Sequence, residues 1–323
     1  MKCQWCGFES DSLEDFETDD VHTDGFWCPY CDGHTFLHPE HHQNRFLLLL
    51  ESKTNGTQIQ NFPHTHFRKR LSPFRYPGGK SKLIDYLYSK LNHEKLHTFV
   101  EVFAGGASLG LSLLDAGVIQ NLVLNDLDDG IYAFWHTVLN DPNYLIKNIY
   151  SIIPTHSLYT DYQNRLLDKT GSVKELAWYQ FVVNRLSFSG ISFAGPLGGK
   201  KGSQECLLSR WNPDSLIQKI QRIHQLKDQI QITHMDGCDL IADYSYWEEN
   251  STLFVDPPYW DKGKWLYPSA FSREDHERLA FLLTSLYKEF PEADILVTYD
   301  DASEIKRLYW NADVEIIRRQ YSI

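Results

Sequence analysis

Phe99-Val100-Glu101-Val102-Phe103-Ala104-Gly105-Gly106-Ala107-Ser108 decides the fold of this 323-residue chain. Its apolar start reads as a strand, its small residues as a tight turn, and residues 109–114 as the helix that follows. That order brings a backbone close to a nucleotide-like ligand at the carboxyl end of a parallel strand. A second stretch answers it. Leu253-Phe254-Val255 runs into Asp256-Pro257-Pro258-Tyr259, so the Asp256 carboxylate also stands at a strand's carboxyl end. Two strand-end motifs in one sheet open on one crevice, and the expected fold class is α/β.

A glycine-rich turn is common, and what sharpens this one is Asp126. It lies about twenty residues past Gly105, at the end of the apolar run Leu122-Val123-Leu124, where an acid accepts hydrogen bonds from both ribose hydroxyls of a nucleoside. Asp256-Pro257-Pro258-Tyr259 narrows the chemistry further. Two consecutive prolines remove two backbone donors and fix the turn. The Asp256 carboxylate and the Pro257 carbonyl then converge as two acceptors, with the ring of Tyr259 beside them. An exocyclic amine of a nucleobase fits that arrangement: two acceptors for its two protons and a flat face for the ring.

These residues resemble the Dam-type, alpha-group N6-adenine DNA methyltransferases, from about Phe74 to the end of the chain. Phe74-Arg75-Tyr76-Pro77-Gly78-Gly79-Lys80 is similar to that family's N-terminal cofactor motif. Residues 99–108 resemble its methionine-binding loop, and Asn125-Asp126 its ribose acid. Val183-Asn184-Arg185 with Phe188-Ser189-Gly190 resembles the start of its target-recognition region, and Asp256 to Tyr259 its catalytic motif. Val102 stands where the family commonly has proline, and Ala107 where a third glycine is usual. The family pattern also leads one to expect a further closing strand beyond Ile323.

The resemblance implies a Rossmann-like, S-adenosylmethionine-dependent methyltransferase sheet with a helical and loop target-recognition insertion. It implies S-adenosylmethionine contacts at Tyr76, Lys80, Glu101, Phe103, Gly105, Asp126 and Asp236. Lys80 would meet the cofactor carboxylate and Asp236 its adenine. Catalysis falls to Asp256, Pro257, Pro258 and Tyr259, with the target adenine flipped out of the duplex and stacked on Tyr259. Methylation of cytosine N4 is the neighbouring reading, since both substrates are exocyclic amines. A non-catalytic DNA- or protein-binding module that keeps the fold is a third.

Net charge is −12, which taken alone argues against a DNA partner. Its distribution reverses the argument. Residues 9–24 hold eight acidic side chains and no Lys or Arg, whereas residues 185–227 hold seven basic side chains against two acidic ones. Within the second stretch, residues 187–212 are rich in Gly and Ser, with basic and aromatic residues interleaved. Arg185, Lys200, Lys201 and Arg210 are the candidate DNA contacts. Aromatic residues make up 14% of the chain, in keeping with base stacking. No apolar run approaches the ~20 residues of a membrane span. The N-terminus lacks a signal-peptide pattern, so the expected location is the cytoplasm of a bacterial or phage-infected cell.

Cys3-x-x-Cys6 and Cys28-x-x-Cys31 form two knuckles of a four-cysteine zinc ribbon, their separation of 21 residues just outside the usual range for one. So short a segment buries little core, and the metal would supply much of its folding energy. Its acidic loop suits a protein partner, or a purely structural cap, better than phosphate. The expected layout is a small zinc ribbon over residues 1–50, including a short strand or helix at 46–51, and a linker over 51–70. Residues 71–150 and 230–323 form the catalytic core, and 151–229 the target-recognition region. Gly79-Lys80-Ser81 is no P-loop, because Phe74 stands where that loop needs its first glycine.

Overall fold

Five consecutive apolar residues, Phe46 to Leu50, are all buried, which a β-strand achieves only when both faces of its sheet are covered. The computed structural model places them in the strand Arg45–Ser52, inside the main sheet. It describes residues 9, 17–18, 25–27, 34–36, 45–58, 67, 71–75, 78–93, 96–243, 251–261, 271–290 and 293–319.

Among these, three short strands form an antiparallel sheet: β1 (Glu17–Thr18), β2 (Gly25–Trp27) and β3 (His34–Phe36). The main sheet has eight strands, all paired in parallel: β4 (Arg45–Ser52), β5 (Thr57–Gln58), β6 (Thr98–Glu101), β7 (Asn121–Asn125), β8 (Ile230–Thr233), β9 (Ser251–Val255), β10 (Asp294–Asp300) and β11 (Asp313–Arg318). Their spatial order is β5-β11-β4-β10-β9-β6-β7-β8. The strand at 46–51, expected to belong to the ribbon, is therefore corrected. As β4 it pairs with β10 on one side and β11 on the other, and fills the slot between these two late strands. β5, expected in the linker, pairs with β11 at the edge.

Side chains alternate across the pleat. Leu47, Leu49, Phe99, Leu122, Leu124, Phe254 and Leu296 face one core. It is shared with helices α1 (Ile84–Ser89), α2 (Ser108–Asp115), α3 (Asp129–Asn140), α4 (Pro142–Ser151), α5 (His156–Leu167), α6 (Val173–Leu186) and α8 (Pro213–Gln225), and with Leu207 of the short α7 (Gln204–Leu207). Phe46, Leu48, Leu50, Val100, Val123, Leu253, Val255, Ile295 and Val297 face the other. That core is covered by α9 (Gly237–Ala242), α10 (Arg273–Glu289) and α11 (Ser303–Leu308).

The helical region after α4 is tied to the core. Phe181 of α6 stacks on Phe134 of α3 at 5.5 Å. A capping box at Ser172 and Glu175 starts α6, and another at Ser272 and Asp275 starts α10. Leu216, Ile217, Ile220 and Ile223 form the buried stripe of α8, as their helical spacing predicts. No described helix is long and apolar enough to cross a membrane.

Candidate active site

Strand after strand ends in an acid at the carboxyl edge of the main sheet: Glu51 on β4, Asp300 on β10, Glu101 on β6, Asp256 directly after β9 and Asp126 directly after β7. A cleft of about 830 Å³, counting its open mouth, lies at this edge. Gly79, Lys80, Glu101, Phe103, Asp126, Asp236, Asp256 and Pro258 are among the residues lining it. The two strand-end motifs thus share one crevice, as their sequences predict.

The small-residue turn is built by hydrogen bonds from the neighbouring strands. Val102 N donates to Phe254 O (3.1 Å) and Ala104 N to Asn125 O (2.8 Å). The buried Asn125 amide donates to Val102 O and Met235 O, both at 3.0 Å, and so joins three strand ends. Trp135 Nε1 donates to Gly105 O (3.0 Å). Gly105 N donates to Asp126 Oδ2 (2.8 Å), while Asp128 N donates to Asp126 Oδ1 (3.0 Å). Each Asp126 oxygen keeps lone-pair capacity for a ligand hydroxyl. Burial, then the Asp128 charge, pushes the Asp126 carboxyl up to about 7. Ala107, where a third glycine was expected, has φ 47°. An L-residue there carries a strain of about 1–2 kcal/mol, which explains why glycine suits the position.

Glu101, placed among the cofactor contacts by resemblance, is 3% exposed and lines the cleft from within. Its Oε1 accepts from Gly110 N at 2.6 Å and ties β6 to α2. Burial is the main cause that raises its carboxyl to about 8. A Cβ on Gly110 would lie 2.4 Å from Leu122 Cδ1, so only glycine lets the helix sit this close. Phe103 lies against Gly237 and edge-on to Phe271, forming an apolar wall. Asp236 also lines the cleft, but its Oδ1 caps α9 by accepting from Cys238 N (2.9 Å) and Asp239 N (3.3 Å). Tyr76 lies outside the described residues.

At Asp256 the structure differs most from expectation. Lys80, expected on a cofactor carboxylate, is 3% exposed and places Nζ 2.6 Å from Asp256 Oδ1 and 2.5 Å from Oδ2. Thr298 Oγ1 donates to Asp256 Oδ1 at 2.6 Å. Burial raises the Asp256 carboxyl above its usual range, and Lys80 is the largest opposing influence. Pro257 and Pro258 are buried, and Asp300 fixes the turn by accepting from Trp260 N and Asp261 N, both at 3.0 Å. Tyr259 was expected to offer an open ring face. It is 5% exposed, and its hydroxyl accepts from Lys80 Nζ (3.0 Å) and donates to Glu51 Oε1 (2.9 Å). In this arrangement the ring backs the turn. Glu51, Thr298 and Asp300 escape motif reading, because each is an isolated polar residue near the carboxyl end of a largely apolar strand.

The segment expected to carry target recognition meets the core at Arg75. Asn184, 1% exposed, accepts from Arg75 N (2.8 Å) and donates to Arg75 O (2.8 Å) and Gly190 O (3.0 Å). Arg185 donates to Pro73 O and Arg210 O. Its buried Nε has no partner among the described residues, and burial with the neighbouring charges of Arg75 and Arg210 pushes its pKa down to about 10. Three guanidiniums thus cluster, and among the described residues no carboxylate pairs with them. Such a cluster draws an anion. Lys200 and Lys201 are exposed on the glycine-rich loop, as are Phe188 and Phe193. Arg75 is the basic residue that the sequence reading passed over, hidden inside a motif read for the cofactor.

Cys3, Cys6, Cys28 and Cys31 lie outside the described residues, and no group of His, Cys, Asp and Glu among the described residues is placed to hold a metal ion. No curated protein matches the chain. The family model of the D12 class N6 adenine-specific DNA methyltransferases matches residues 76–323. That span takes in both strand-end motifs, Lys80 and α6. By this match over most of its length, the chain belongs to the D12 class N6 adenine-specific DNA methyltransferases, enzymes that methylate adenine N6 in DNA.

Proposed function

We propose that the chain is a site-specific, Dam-type enzyme whose Asp256 turn takes a flipped adenine while the Asp126 side of the same cleft holds S-adenosylmethionine. The observation that carries this is the single cleft lined by both acids. S-adenosylmethionine is the donor expected of the family, and its cleft suits a nucleoside. Asp126 stands at a strand end, Phe103, Leu127 and Phe271 give apolar walls, and Asp236 borders them. When bound, the cofactor supplies an electrophilic methyl group.

The protein's part is to make a poor nucleophile available. The adenine amine shares its lone pair with the ring. Asp256 and the Pro257 carbonyl accept hydrogen bonds from its two N–H groups and favour a tetrahedral nitrogen with a free lone pair; as the methyl group bonds to that nitrogen, one of the two protons leaves it through these acceptors to solvent. Lys80 and Thr298 fix the carboxylate that does this, so positioning and electrostatics supply most of the rate, with no covalent enzyme intermediate. The target adenine is out of reach inside a duplex and is flipped into the cleft. Arg75, Arg185 and Arg210, with Lys200 and Lys201, hold DNA phosphates. The antiparallel β1–β3 sheet brackets Cys28 and Cys31 in sequence and supports a zinc ribbon at the N-terminus, whose acidic stretch suits a protein contact.

The test separates the two halves of the cleft. Asp256→Ala should lose transfer of labelled methyl to unmethylated DNA while binding S-adenosylmethionine as the parent does. Asp126→Ala should lose cofactor binding itself. Near-normal turnover by Asp256→Ala would sink the proposed mechanism.

A further inference from the structure

Glu51 lies in a strand that precedes the family match, yet it ends at the catalytic turn. It is 4% exposed and sits opposite Asp300 on β10, at the carboxyl edge of the sheet. Its two oxygens take Nη1 of Arg319 at 3.0 and 2.8 Å. Oε1 also accepts from the Tyr259 hydroxyl at 2.9 Å and stands 3.4 Å from Lys80 Nζ. Arg319 Nη2 donates to Gly79 O at 2.9 Å and so grips the residue just before Lys80. The result is an alternating row of charges, Asp256, Lys80, Glu51 and Arg319, drawn from both ends of the chain. A buried row of this kind is held by its partners, because each charge left alone is costly.

We propose that Glu51, paired with Arg319, is a positioning residue for methyl transfer, setting where the Lys80 ammonium lies against Asp256. Glu51 does not line the cleft, so it acts through Lys80 and Tyr259 and not on the substrate. By sharing the Lys80 charge it leaves Asp256 more basic and better able to accept from an amine. This inference rests on Asp256 being the catalytic acceptor. It makes β4, from outside the family's matched span, a working part of the enzyme.

The groups that face Asp256 are Lys80, Glu51, Glu101, Tyr259 and Thr298, with Arg319 behind Glu51. Neutralising one end of the row therefore moves the pH dependence in a known direction. The test is the pH–rate profile of methyl transfer by the full chain, native and substituted, with cofactor affinity measured alongside. Glu51→Gln should lower kcat by roughly tenfold to a hundredfold, with KM for S-adenosylmethionine within about threefold of native. The acid limb should move to lower pH. Arg319→Gln leaves Glu51 less neutralised and should move that limb to higher pH.

Opposite shifts support the proposal, since a purely structural role would not reverse the sign. An unchanged kcat and limb in a folded Glu51→Gln overturns it, as does a shift in the same direction in both variants. If Glu51→Gln does not fold, Arg319→Gln decides: an upward limb supports the proposal, and an unmoved or lowered one overturns it. Asp256→Ala tells the two ideas apart. If that variant is inactive and Glu51→Gln is native-like, only the role of Glu51 fails.

Discussion

Lys80→Met would remove the cation from a buried row of charges while keeping most of the side chain's volume. Lys80 Nζ is within 2.6 Å of both Asp256 oxygens and donates to the Tyr259 hydroxyl, with 3% of the residue exposed. Taking one partner from a buried pair costs about 3–5 kcal/mol, because the remaining charge stays buried without compensation. Against a typical stability of about 5–15 kcal/mol, that loss is large. It should also depend on pH. Burial already holds the Asp256 carboxyl above the ordinary carboxylate range, and losing Lys80 raises it further. An acid whose folded pKa lies above its unfolded value loses stability as pH rises through the folded pKa and regains it as pH falls. The deficit of Lys80→Met should thus be greatest near pH ~8 and shrink toward pH ~5. Urea unfolding of parent and variant at both pH values measures it. A deficit below about 1 kcal/mol near pH ~8, or one that grows on acidification, would refute the reasoning.

Other expectations follow from particular contacts. Gly190 has φ 80°, and a Cβ there would lie 1.9 Å from Arg75 O. Gly190→Ala should cost about 3–5 kcal/mol through strain and broken Asn184 bonds, read by thermal or urea unfolding; a loss under ~1 kcal/mol would contradict the close approach. Gly110→Ala forces α2 away from Leu122 and Glu101 and should cost about 1–3 kcal/mol, again by unfolding. Asp126, raised to about 7, accepts ribose hydroxyls best when ionised. Calorimetric affinity for S-adenosylmethionine should therefore rise between pH ~6 and ~8, and Asp126→Asn should flatten the dependence. Purified protein should carry about one zinc per chain by elemental analysis, lost in a Cys3→Ser, Cys28→Ser double variant; a metal-free parent contradicts the ribbon.

Strand-end motifs were legible because their chemistry is local. Residues 99–108 and 253–259 each announce a strand, a turn and a polar group in consecutive positions, and Asp126 adds an acid after the next strand on the same cleft. The helices at 173–186, 213–225 and 273–289 were equally open to reading through their apolar spacing and capping residues. β4 was misplaced because its neighbours come from residues 294–300 and 313–318, and no local pattern reports so distant a pairing. The signal was present in its five unbroken apolar residues, too many for a small ribbon to bury. The partners of Lys80 and the covering of Tyr259 were hidden for the same reason. Glu51, Tyr259, Thr298 and Arg319 meet only after folding, across separations of up to 268 residues. Ala107 shows the reverse case, a departure from the family pattern whose meaning is a single backbone angle.

Nucleoside mass spectrometry of unmethylated DNA, after incubation with the protein and S-adenosylmethionine, tests the central claim most directly. The native chain should yield N6-methyladenine, and Asp256→Ala should yield none while still binding the cofactor. N4-methylcytosine as the product, or N6-methyladenine at native levels from Asp256→Ala, would contradict the account.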